Sequence, residues 1–411
     1  MGSNPTPRTE VREKQFKESM THMNSLHCTD NGLFSALSRW FGERFTKYML
    51  ESLSYPSSRY YIRVNTLKTT VDYVIDELRK IGLEVFRSSF LPEALATPIR
   101  GPFRINIYAK KVVVDKFTAE SVMLGADVYS PGVIRAKNID EGDLVTVVAP
   151  NGRPVAEGVA LISGSEMLHR KKGLAVKTLK SLFKAPKIRA LKLFTEGAIY
   201  DQSLPAMITS RILDPKPGEV IIDMCAAPGG KTTHIAQLTE NRATIIAVDR
   251  SKNRLAKLEE NCRRLNVTCV KTLVHDSRYL SEVIGENYAD KVLLDPPCTA
   301  LGVRPKVFEK RKAKDIVATA EYQRQLLREA VKLVKRGGII VYSTCTLSVE
   351  ENELNIIYAL RKMRLKLVKQ ERMIGMPSST VLKNIPLGYT QRFFPHIHET
   401  PGYFIAKLVK T

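Results

Sequence analysis

Long apolar runs are missing from the 411-residue chain, and acidic residues are few. No run approaches the roughly 20 apolar residues that a membrane-spanning helix needs, so we expect a soluble protein without a membrane partner. Only 42 Asp and Glu stand against 64 Lys and Arg, which leaves a formal net charge of +22. An excess of this size favours a polyanionic partner, most often nucleic acid, over a generic basic surface.

Paired cysteine motifs are also missing. The chain has six cysteines without a CxxC pair: Cys28, Cys225, Cys262, Cys269, Cys298 and Cys345. Because no signal peptide precedes them, we expect free thiols in a cytoplasmic protein instead of a disulfide framework or a zinc site. His396 and His398 stand one residue apart, which is weak support for a metal, so we predict no metal site.

The first 108 residues predict helices followed by a small α+β unit. Residues 1 to about 12 are polar, and we expect them to be disordered. Aromatic and aliphatic residues recur at helical spacing over Gly32–Leu53. A β-α-β-β order is then predicted for Tyr60–Asn65, Thr70–Ile81, Leu83–Phe86 and Phe103–Ile107.

Short strands and glycine-rich turns fill residues 109–189. Lys111–Asp115 predicts a strand, and Asn151-Gly152 is a strong signal for a hairpin turn. Many short strands of this kind favour a small barrel. We expect RNA contacts from Tyr129, which stands beside a Ser-Pro-Gly turn, and from the basic run Arg170, Lys171 and Lys172.

From about residue 204 onward, strands alternate with helices, which predicts a doubly wound α/β sheet. Near its end we predict a helix over Glu321–Val334 and a turn at Gly337-Gly338 that leads into a strand over Ile339–Ser343. Four predicted strands end in a carboxylate: Asp223, Asp249, Asp276 and Asp295. Ligands of open α/β sheets bind beyond the carboxyl ends of the strands. A single Asp there usually caps a turn, but four on consecutive strands favour a binding site.

One stretch, Glu219–Lys231 with the sequence EVIIDMCAAPGGK, predicts a buried strand and a turn of small residues, and a helix is expected over Thr232–Leu238. The turn fits neither a Walker loop nor the GxGxxG pattern. Its string CAAPGGKT resembles the S-adenosylmethionine loop of RNA cytosine-5 methyltransferases of the Nol/Nop/Sun family. That resemblance covers nearly the whole chain.

The resemblance implies a Rossmann-like class I methyltransferase domain over residues 204–411, with S-adenosylmethionine as the cofactor. Asp249 would hold the ribose hydroxyls, Asp276 the adenine amine, and Lys231 the cofactor carboxylate or Asp295. Asp295 is also assigned to the cofactor site. The loop expected at the amino-acid end of the cofactor comprises Cys225, Ala226, Ala227, Pro228, Gly229, Gly230 and Lys231.

Two further domains follow from resemblance. Residues 1–108, completed by about 190–203, are similar to the RRM-like module of this family, although the RNP aromatic signature is missing. The order of strands and turns in residues 109–189 resembles an inserted PUA domain, an RNA-binding module. Its presence points to the branch that methylates tRNA near the 3′ end of the acceptor stem.

Two thiols complete the predicted site: Cys298, in the string DPPC after Asp295, and Cys345, in the string TC. Carbon 5 of cytosine is a poor nucleophile, and a thiolate that adds to carbon 6 converts it into an enamine carbon. The family resemblance makes Cys345 the nucleophile and Cys298 the residue that releases the product. Asp295 would act as an acid near the ring, for which its pKa must be raised by burial. Lys231 completes the predicted catalytic set.

Three other functions compete with a tRNA cytosine-5 methyltransferase. An rRNA methyltransferase would carry the same catalytic residues. A non-catalytic RNA-binding protein would not need Lys231, Asp295, Cys298 and Cys345 together. A DNA cytosine methyltransferase would leave Cys345 and the PUA-like segment without a role. For the assembly we favour a monomer.

Overall fold

Two helices open the described part of the chain. The structure, a computed structural model, describes residues 30–382 and 387–411. Residues 1 to 12 and Cys28, for which we predicted disorder and a free thiol, lie outside these ranges. The helices Asn31–Phe41 and Glu43–Ser52 divide the predicted helical segment at Gly42, whose φ of 77° breaks the helix.

A four-stranded antiparallel sheet follows. It contains β1 (Arg59–Val64), β2 (Phe86–Arg87), β3 (Ala94–Pro98) and a later strand, β10 (Ile199–Asp201), in the order β10-β1-β3-β2. The helix Val71–Lys80 packs on it through Val74 and Leu78, which are fully buried. Residues near 200 therefore complete the small sheet.

The strand predicted at Phe103–Ile107 is wrong, and β3 takes its place. The amides of this segment bond to separate groups and not to one neighbouring strand. Phe103 N–H donates to Leu182 O at 2.7 Å, Asn106 N–H to Glu157 Oε2 at 2.5 Å, and Tyr108 N–H to Thr146 Oγ1 at 2.7 Å. The strand predicted at Leu83–Phe86 is likewise reduced to the short β2.

Residues 111–181 form a mixed six-stranded sheet in the order β5-β9-β8-β7-β4-β6. Its strands are β4 (Lys111–Val114), β5 (Val128–Tyr129), β6 (Val133–Ala136), β7 (Leu144–Val148), β8 (Pro154–Ala160) and β9 (Leu174–Ser181), with helices Lys116–Val122 and Gly164–His169. The predicted turn at Asn151-Gly152 joins the antiparallel pair β7 and β8. Tyr55, Val307 and Phe308 from outside this segment share its core.

The largest sheet has eight strands in the order β13-β12-β11-β14-β15-β18-β16, with β17 also paired to β18. Its strands are β11 (Val220–Asp223), β12 (Thr244–Asp249), β13 (Val270–Val274), β14 (Ala289–Leu294), β15 (Val334–Thr344), β16 (Leu365–Leu367), β17 (Gln391–Phe393) and β18 (Tyr403–Lys410). Strands β11 to β15 pair in parallel. The chain moves from β11 to β12 on one side and later to β14 on the other, so the switch point lies between β11 and β14.

Helices cover both faces of this sheet. They are Leu204–Leu213, Gly230–Leu238, Lys252–Leu265, Ser281–Ile284, Ala313–Leu333, Glu353–Lys362, Ser378–Val381 and Pro395–His398, while the short helix Lys192–Thr195 packs on the small sheet through Leu193. The two N-terminal helices join one of these faces, since Leu33 and Met49 share a core with Val292 and Ile340. In the part of the chain that the structure describes, none of the helices combines the length and the hydropathy needed to cross a membrane.

Two predicted boundaries need correction. The helix expected over Glu321–Val334 begins earlier, at Ala313, because Lys312 and Asp315 form the cap of an additional N-terminal stretch. Gly337 and Gly338 do not form a turn before the last parallel strand. They lie inside β15, which starts at Val334 and pairs irregularly with β14 between Ala289 and Lys291.

Candidate active site

The carboxyl ends of the parallel strands gather the predicted residues at one edge. Asp223 and Asp249 end β11 and β12, Asp295 directly follows β14, and Cys345 directly follows β15. Asp276 comes after the end of β13, which is shorter than we predicted. The sheet topology therefore brings to one edge side chains that are far apart in sequence.

The small-residue loop joins β11 to the helix Gly230–Leu238, which starts two residues earlier than predicted. Gly229 precedes this helix with φ 100°, and a Cβ there would lie 2.8 Å from Leu258 Cγ. Burial raises the pKa of Asp223 to about 6, although Thr232 Oγ1 donates a hydrogen bond to it at 2.7 Å. The backbone conformation of Gly229 and the buried position of Asp223 thus fix the two ends of the loop.

An open pocket lies at the switch point. Its lining includes three predicted residues, Cys225, Asp249 and Asp276. Asp249 is 4% exposed, accepts a hydrogen bond from Ser251 N–H at 2.9 Å, and pairs with Arg254 Nη1 at 3.1 Å. A carboxylate has about four lone-pair sites, so Asp249 can still accept the two hydroxyls of a ribose.

The other carboxylate of the pocket, Asp276, is held by Arg278. Asp276 Oδ1 accepts from Arg278 N–H at 3.0 Å, and Oδ2 pairs with Arg278 Nη2 at 2.7 Å. The hydrogen bonds from the Arg278 side chain lower the pKa of Asp276. The remaining predicted loop residues, Ala226 to Gly230, are not among those that line this pocket.

Sequence reasoning did not predict several residues of the pocket wall. They are Met224, Arg250, Arg254, His275, Ser277, Tyr322 and Leu326. Pro297, part of the DPPC string, also lines the pocket. Arg254 is on the helix that directly follows Asp249, so its closeness in sequence could have indicated that it belongs to the pocket. Tyr322 and Leu326 come from the helix Ala313–Leu333, and only the packing of that helix places them here.

Lys231 and Asp295 form an ion pair, with Nζ and Oδ2 2.5 Å apart. Burial is the largest single effect and lowers the pKa of Lys231, but the charges of Asp295 and Tyr403 and the hydrogen bonds to them together raise the pKa well above its usual range. The other oxygen of Asp295 accepts from Ser343 Oγ at 2.6 Å and from Tyr403 O–H at 3.2 Å. Ser343 and Tyr403 therefore orient the carboxylate, and sequence reasoning did not single them out.

The two cysteines of the predicted site face each other, with Sγ atoms 3.4 Å apart. The hydrogen bond from the Cys298 thiol lowers the pKa of Cys345, while burial and Asp295 oppose it and Lys231 supports it. The same hydrogen bond, together with burial, raises the pKa of Cys298 well above its usual range. The short contact lets either thiol donate to the other, and the charge of Lys231 favours Cys345 as the ionised partner.

The candidate RNA-contacting residues are neighbours in the six-stranded sheet. Tyr129 is 59% exposed and pairs in the sheet with Leu174, and the adjacent Ser130 N–H donates to Gly173 O at 3.0 Å. The basic run precedes Gly173 directly. Arg170 pairs with Glu166 at 2.7 Å, whereas Lys171 and Lys172 are exposed.

Comparison with known proteins supports a methyltransferase site at this edge of the sheet. Residues 210–409 match the family model described as 16S rRNA methyltransferase RsmB/F, and residues 110–182 match the PUA domain model. A tRNA (cytosine(72)-C(5))-methyltransferase of Pyrococcus horikoshii is 48% identical over 392 residues, which cover 94% of this chain and 98% of that protein. The chain belongs to the RsmB/F methyltransferase family.

Two further relatives support this membership. The tRNA (cytosine(72)-C(5))-methyltransferase NSUN6 of Homo sapiens is 30% identical over 445 residues, which cover 92% of this chain and 94% of that protein. The crystal structure of NSun6 from Pyrococcus horikoshii with SFG is 49% identical and has a TM-score of 0.86, covering 92% of this chain and 98% of that chain.

Membership confirms the resemblance, the α/β methyltransferase fold, the PUA domain and S-adenosylmethionine as the cofactor. The pocket fits this cofactor, since the buried Asp249 retains acceptor sites at the switch point of the sheet. The RRM-like character of the N-terminal sheet stays a prediction. Within residues 30–382 and 387–411, no group of three or more His, Cys, Asp or Glu residues is placed to hold a metal ion.

Proposed function

We propose that this RsmB/F-family enzyme methylates carbon 5 of a cytosine in tRNA, at position 72 as in the relatives named for that reaction. The observation that carries the proposal is the pair of thiols 3.4 Å apart beside the Lys231–Asp295 ion pair. S-adenosylmethionine supplies an electrophilic methyl group to the site. The chain's own residues have to make carbon 5 of the base nucleophilic and then release the product.

Cys345 is the nucleophile in this proposal. Its thiolate adds to carbon 6 of the cytosine, and electron density moves to carbon 5, which accepts the methyl group. Lys231 and the thiol of Cys298 support the thiolate, as the lowered pKa of Cys345 indicates. Asp295, oriented by Ser343 and Tyr403, is the group proposed to hydrogen-bond the ring near N3 or the exocyclic amine.

Cys298 has its main role after methyl transfer, in addition to its hydrogen bond to the Cys345 thiolate. The proton on carbon 5 passes to water or another base, and the electron pair of the broken C–H bond forms the C5–C6 double bond and expels the Cys345 thiolate from carbon 6. Cys298 is the residue proposed to assist this elimination, because it lies within hydrogen-bond distance of the sulfur that leaves. The protein groups thus divide into one that forms the covalent bond and one that helps to break it.

The two cysteines should therefore fail at different steps. We expect Cys345→Ala to give neither methylated RNA nor a covalent complex. Cys298→Ala should form the complex and fail to release it, seen as a retarded band on a denaturing gel that needs both tRNA and S-adenosylmethionine. Cys262→Ala, a mostly buried thiol of the helix Lys252–Leu265, is the matched control and should remain active.

A trapped complex in Cys345→Ala would reverse the assignment of the two thiols. Full activity in both variants would contradict covalent catalysis. The substrate is tested in the same assay by offering tRNA, tRNA with uracil at position 72, rRNA and DNA side by side. Preference for rRNA would favour the second candidate function, which the description of the matched family model suggests.

The domain division and the assembly belong to the same proposal. The PUA match at residues 110–182 lies inside the predicted 109–189 segment and supports it. A role on tRNA would suit the cytoplasm, and we favour a monomer without a metal. Size-exclusion chromatography with light scattering would test the assembly directly.

A further inference from the structure

A buried carboxylate, Glu351, lies between the two loops that carry the active-site cysteines. Its exposed fraction is 0%, and it directly precedes Asn352, the cap of the helix Glu353–Lys362. Charged side chains are almost never fully buried unless partners compensate for the lost water. The contacts of Glu351 therefore indicate what this position stabilises.

Two of its contacts reach the Cys298 loop. Thr299 N–H donates to Glu351 Oε2 at 2.9 Å, and Thr299 Oγ1 donates to Oε1. Thr299 follows Cys298 directly, so these bonds fix the backbone next to the thiol. The Thr299 hydroxyl also lies 2.7 Å from that of Thr346, which follows Cys345.

Other contacts reach the Cys345 loop and the helix behind both loops. Ser348 Oγ donates to Glu351 Oε1 at 2.7 Å, and Thr346 Oγ1 donates to the same oxygen at 3.3 Å. Gln323 Nε2 donates to Glu351 Oε2 and to Pro297 O, each at 3.0 Å. A carboxylate accepts on both oxygens, so one side chain links three elements.

Glu351 also acts on the thiol of Cys298 through its charge. The pKa of Cys298 is raised by its hydrogen bond to Cys345 and by burial, and the Glu351 carboxylate raises it further. A negative charge beside Cys298 disfavours a second thiolate there. The charge of Glu351 thus favours the arrangement in which Cys298 donates its proton to the sulfur of Cys345.

We propose that Glu351 is a positioning residue that holds the two cysteine loops at their short separation and keeps Cys298 as the protonated partner. The effect on catalysis rests on the proposed function, because Glu351 acts through Cys298 and Cys345. Glu351 is not among the residues that line the cofactor pocket, so its loss should leave cofactor binding intact. The two effects can therefore be measured separately.

The test compares Glu351→Gln and Glu351→Asp with the full-length protein and with Glu350→Gln as matched control. Glu350 is the preceding residue, and its carboxylate turns away to Arg39 at 2.6 Å and Trp40 at 3.0 Å. Limited alkylation with iodoacetamide over a range of pH, followed by peptide mass spectrometry, gives the reactivity of each thiol without RNA. Methyl transfer to tRNA and calorimetry with S-adenosylmethionine complete the comparison.

In the wild type and in Glu350→Gln, Cys345 should be alkylated first and at lower pH than Cys298. In Glu351→Gln we expect the preference for Cys345 over Cys298 to fall by about tenfold, and kcat to fall by about tenfold or more with KM little changed. Cofactor affinity should change by less than about twofold. Glu351→Asp keeps the charge and should retain more of the alkylation preference than Gln.

Wild-type alkylation and turnover in a folded Glu351→Gln protein would overturn the proposal. Equal alkylation preferences in the Asp and Gln variants would overturn its electrostatic part. If Glu351→Gln does not fold, Thr299→Val removes a single donor, and an unchanged alkylation preference there would count against the proposal. A wild type without methyl transfer to any RNA would refute the proposed function, whereas the alkylation ratio would still test Glu351.

Discussion

At the scale of single residues, the site depends on carboxylates whose surroundings differ. Asp249 is 4% exposed and shares its oxygens between an amide and Arg254, whereas Asp295 is engaged by Lys231, Ser343 and Tyr403. The first arrangement leaves acceptor positions toward the pocket, and the second fixes an oriented acid or acceptor beside the thiols. Residue type alone would not distinguish these two roles.

Cofactor binding should depend on Asp249. We expect Asp249→Ala to weaken binding of S-adenosylmethionine by more than about tenfold, on the order of 1.4 kcal/mol, because charge-assisted hydrogen bonds to the ribose are lost. Isothermal titration calorimetry measures this directly. Asp72→Ala removes an exposed carboxylate that pairs with Arg87 on the small sheet and serves as control. Equal affinity in both variants would exclude Asp249 from the ribose site.

At the scale of elements, the strand-loop-helix unit from β11 to Leu238 depends on backbone conformation as much as on side chains. Gly229 adopts φ 100° with Leu258 of the neighbouring helix close by. Gly337, inside β15, has φ 77°, and a Cβ added there would have no other atom within 4 Å. The two glycines share a left-handed backbone but differ in the space around them.

Gly229→Ala should therefore cost more than Gly337→Ala. Each substitution introduces the strain of a left-handed residue, about 1–2 kcal/mol, and Gly229→Ala adds a clash with Leu258 that displaces the cofactor loop. We expect both variants to unfold at lower temperature, and only Gly229→Ala to lose cofactor affinity. Thermal unfolding and calorimetry separate the effects. Equal affinity losses in the two variants would contradict this explanation.

At the scale of the whole molecule, the PUA domain is joined to the rest of the chain by shared packing. Tyr55, Val307 and Phe308 lie in its core, and Asn151 Nδ2 donates to Val307 O at 3.1 Å. Removing the domain would expose this apolar surface, so substitutions at its surface are a sharper test than deletion. The net charge of +22 adds a long-range attraction for polyanions.

RNA binding should weaken steeply with salt. If about five phosphates are neutralised, raising salt from about 50 to 200 mM should lower affinity by roughly two to three orders of magnitude. The double variant Lys171→Glu and Lys172→Glu should bind more weakly and show a salt slope shallower by about one to two. The control double variant Lys362→Glu and Lys366→Glu changes the net charge by the same amount at a different surface, near β16. Equal losses in both pairs would indicate a non-specific effect of net charge.

The order of the amino acids was enough to predict the class of fold and the identity of the chemically active groups. The alternation of strands and helices predicts the parallel sheet, and the motifs around Cys225, Asp295 and Cys345 resemble those of one family. Both signals can be found in the sequence because they depend on residues that are close together in the chain. The strand predicted at Phe103–Ile107 was wrong, because backbone amides that bond to scattered partners leave no mark in the local sequence pattern.

Which of these groups come into contact depends on the folded chain. Tyr322, Ser343, Glu351 and Tyr403 have no local signal of a role, and packing of distant elements brings them to the pocket or the thiols. The same holds for the distance of 3.4 Å between the sulfur atoms of Cys298 and Cys345, which allows a hydrogen bond between the two thiols. The pKa values of these groups depend on their burial and on their distances from other charges. Both quantities arise from the folded arrangement, so the sequence shows which groups are present and the fold sets their protonation.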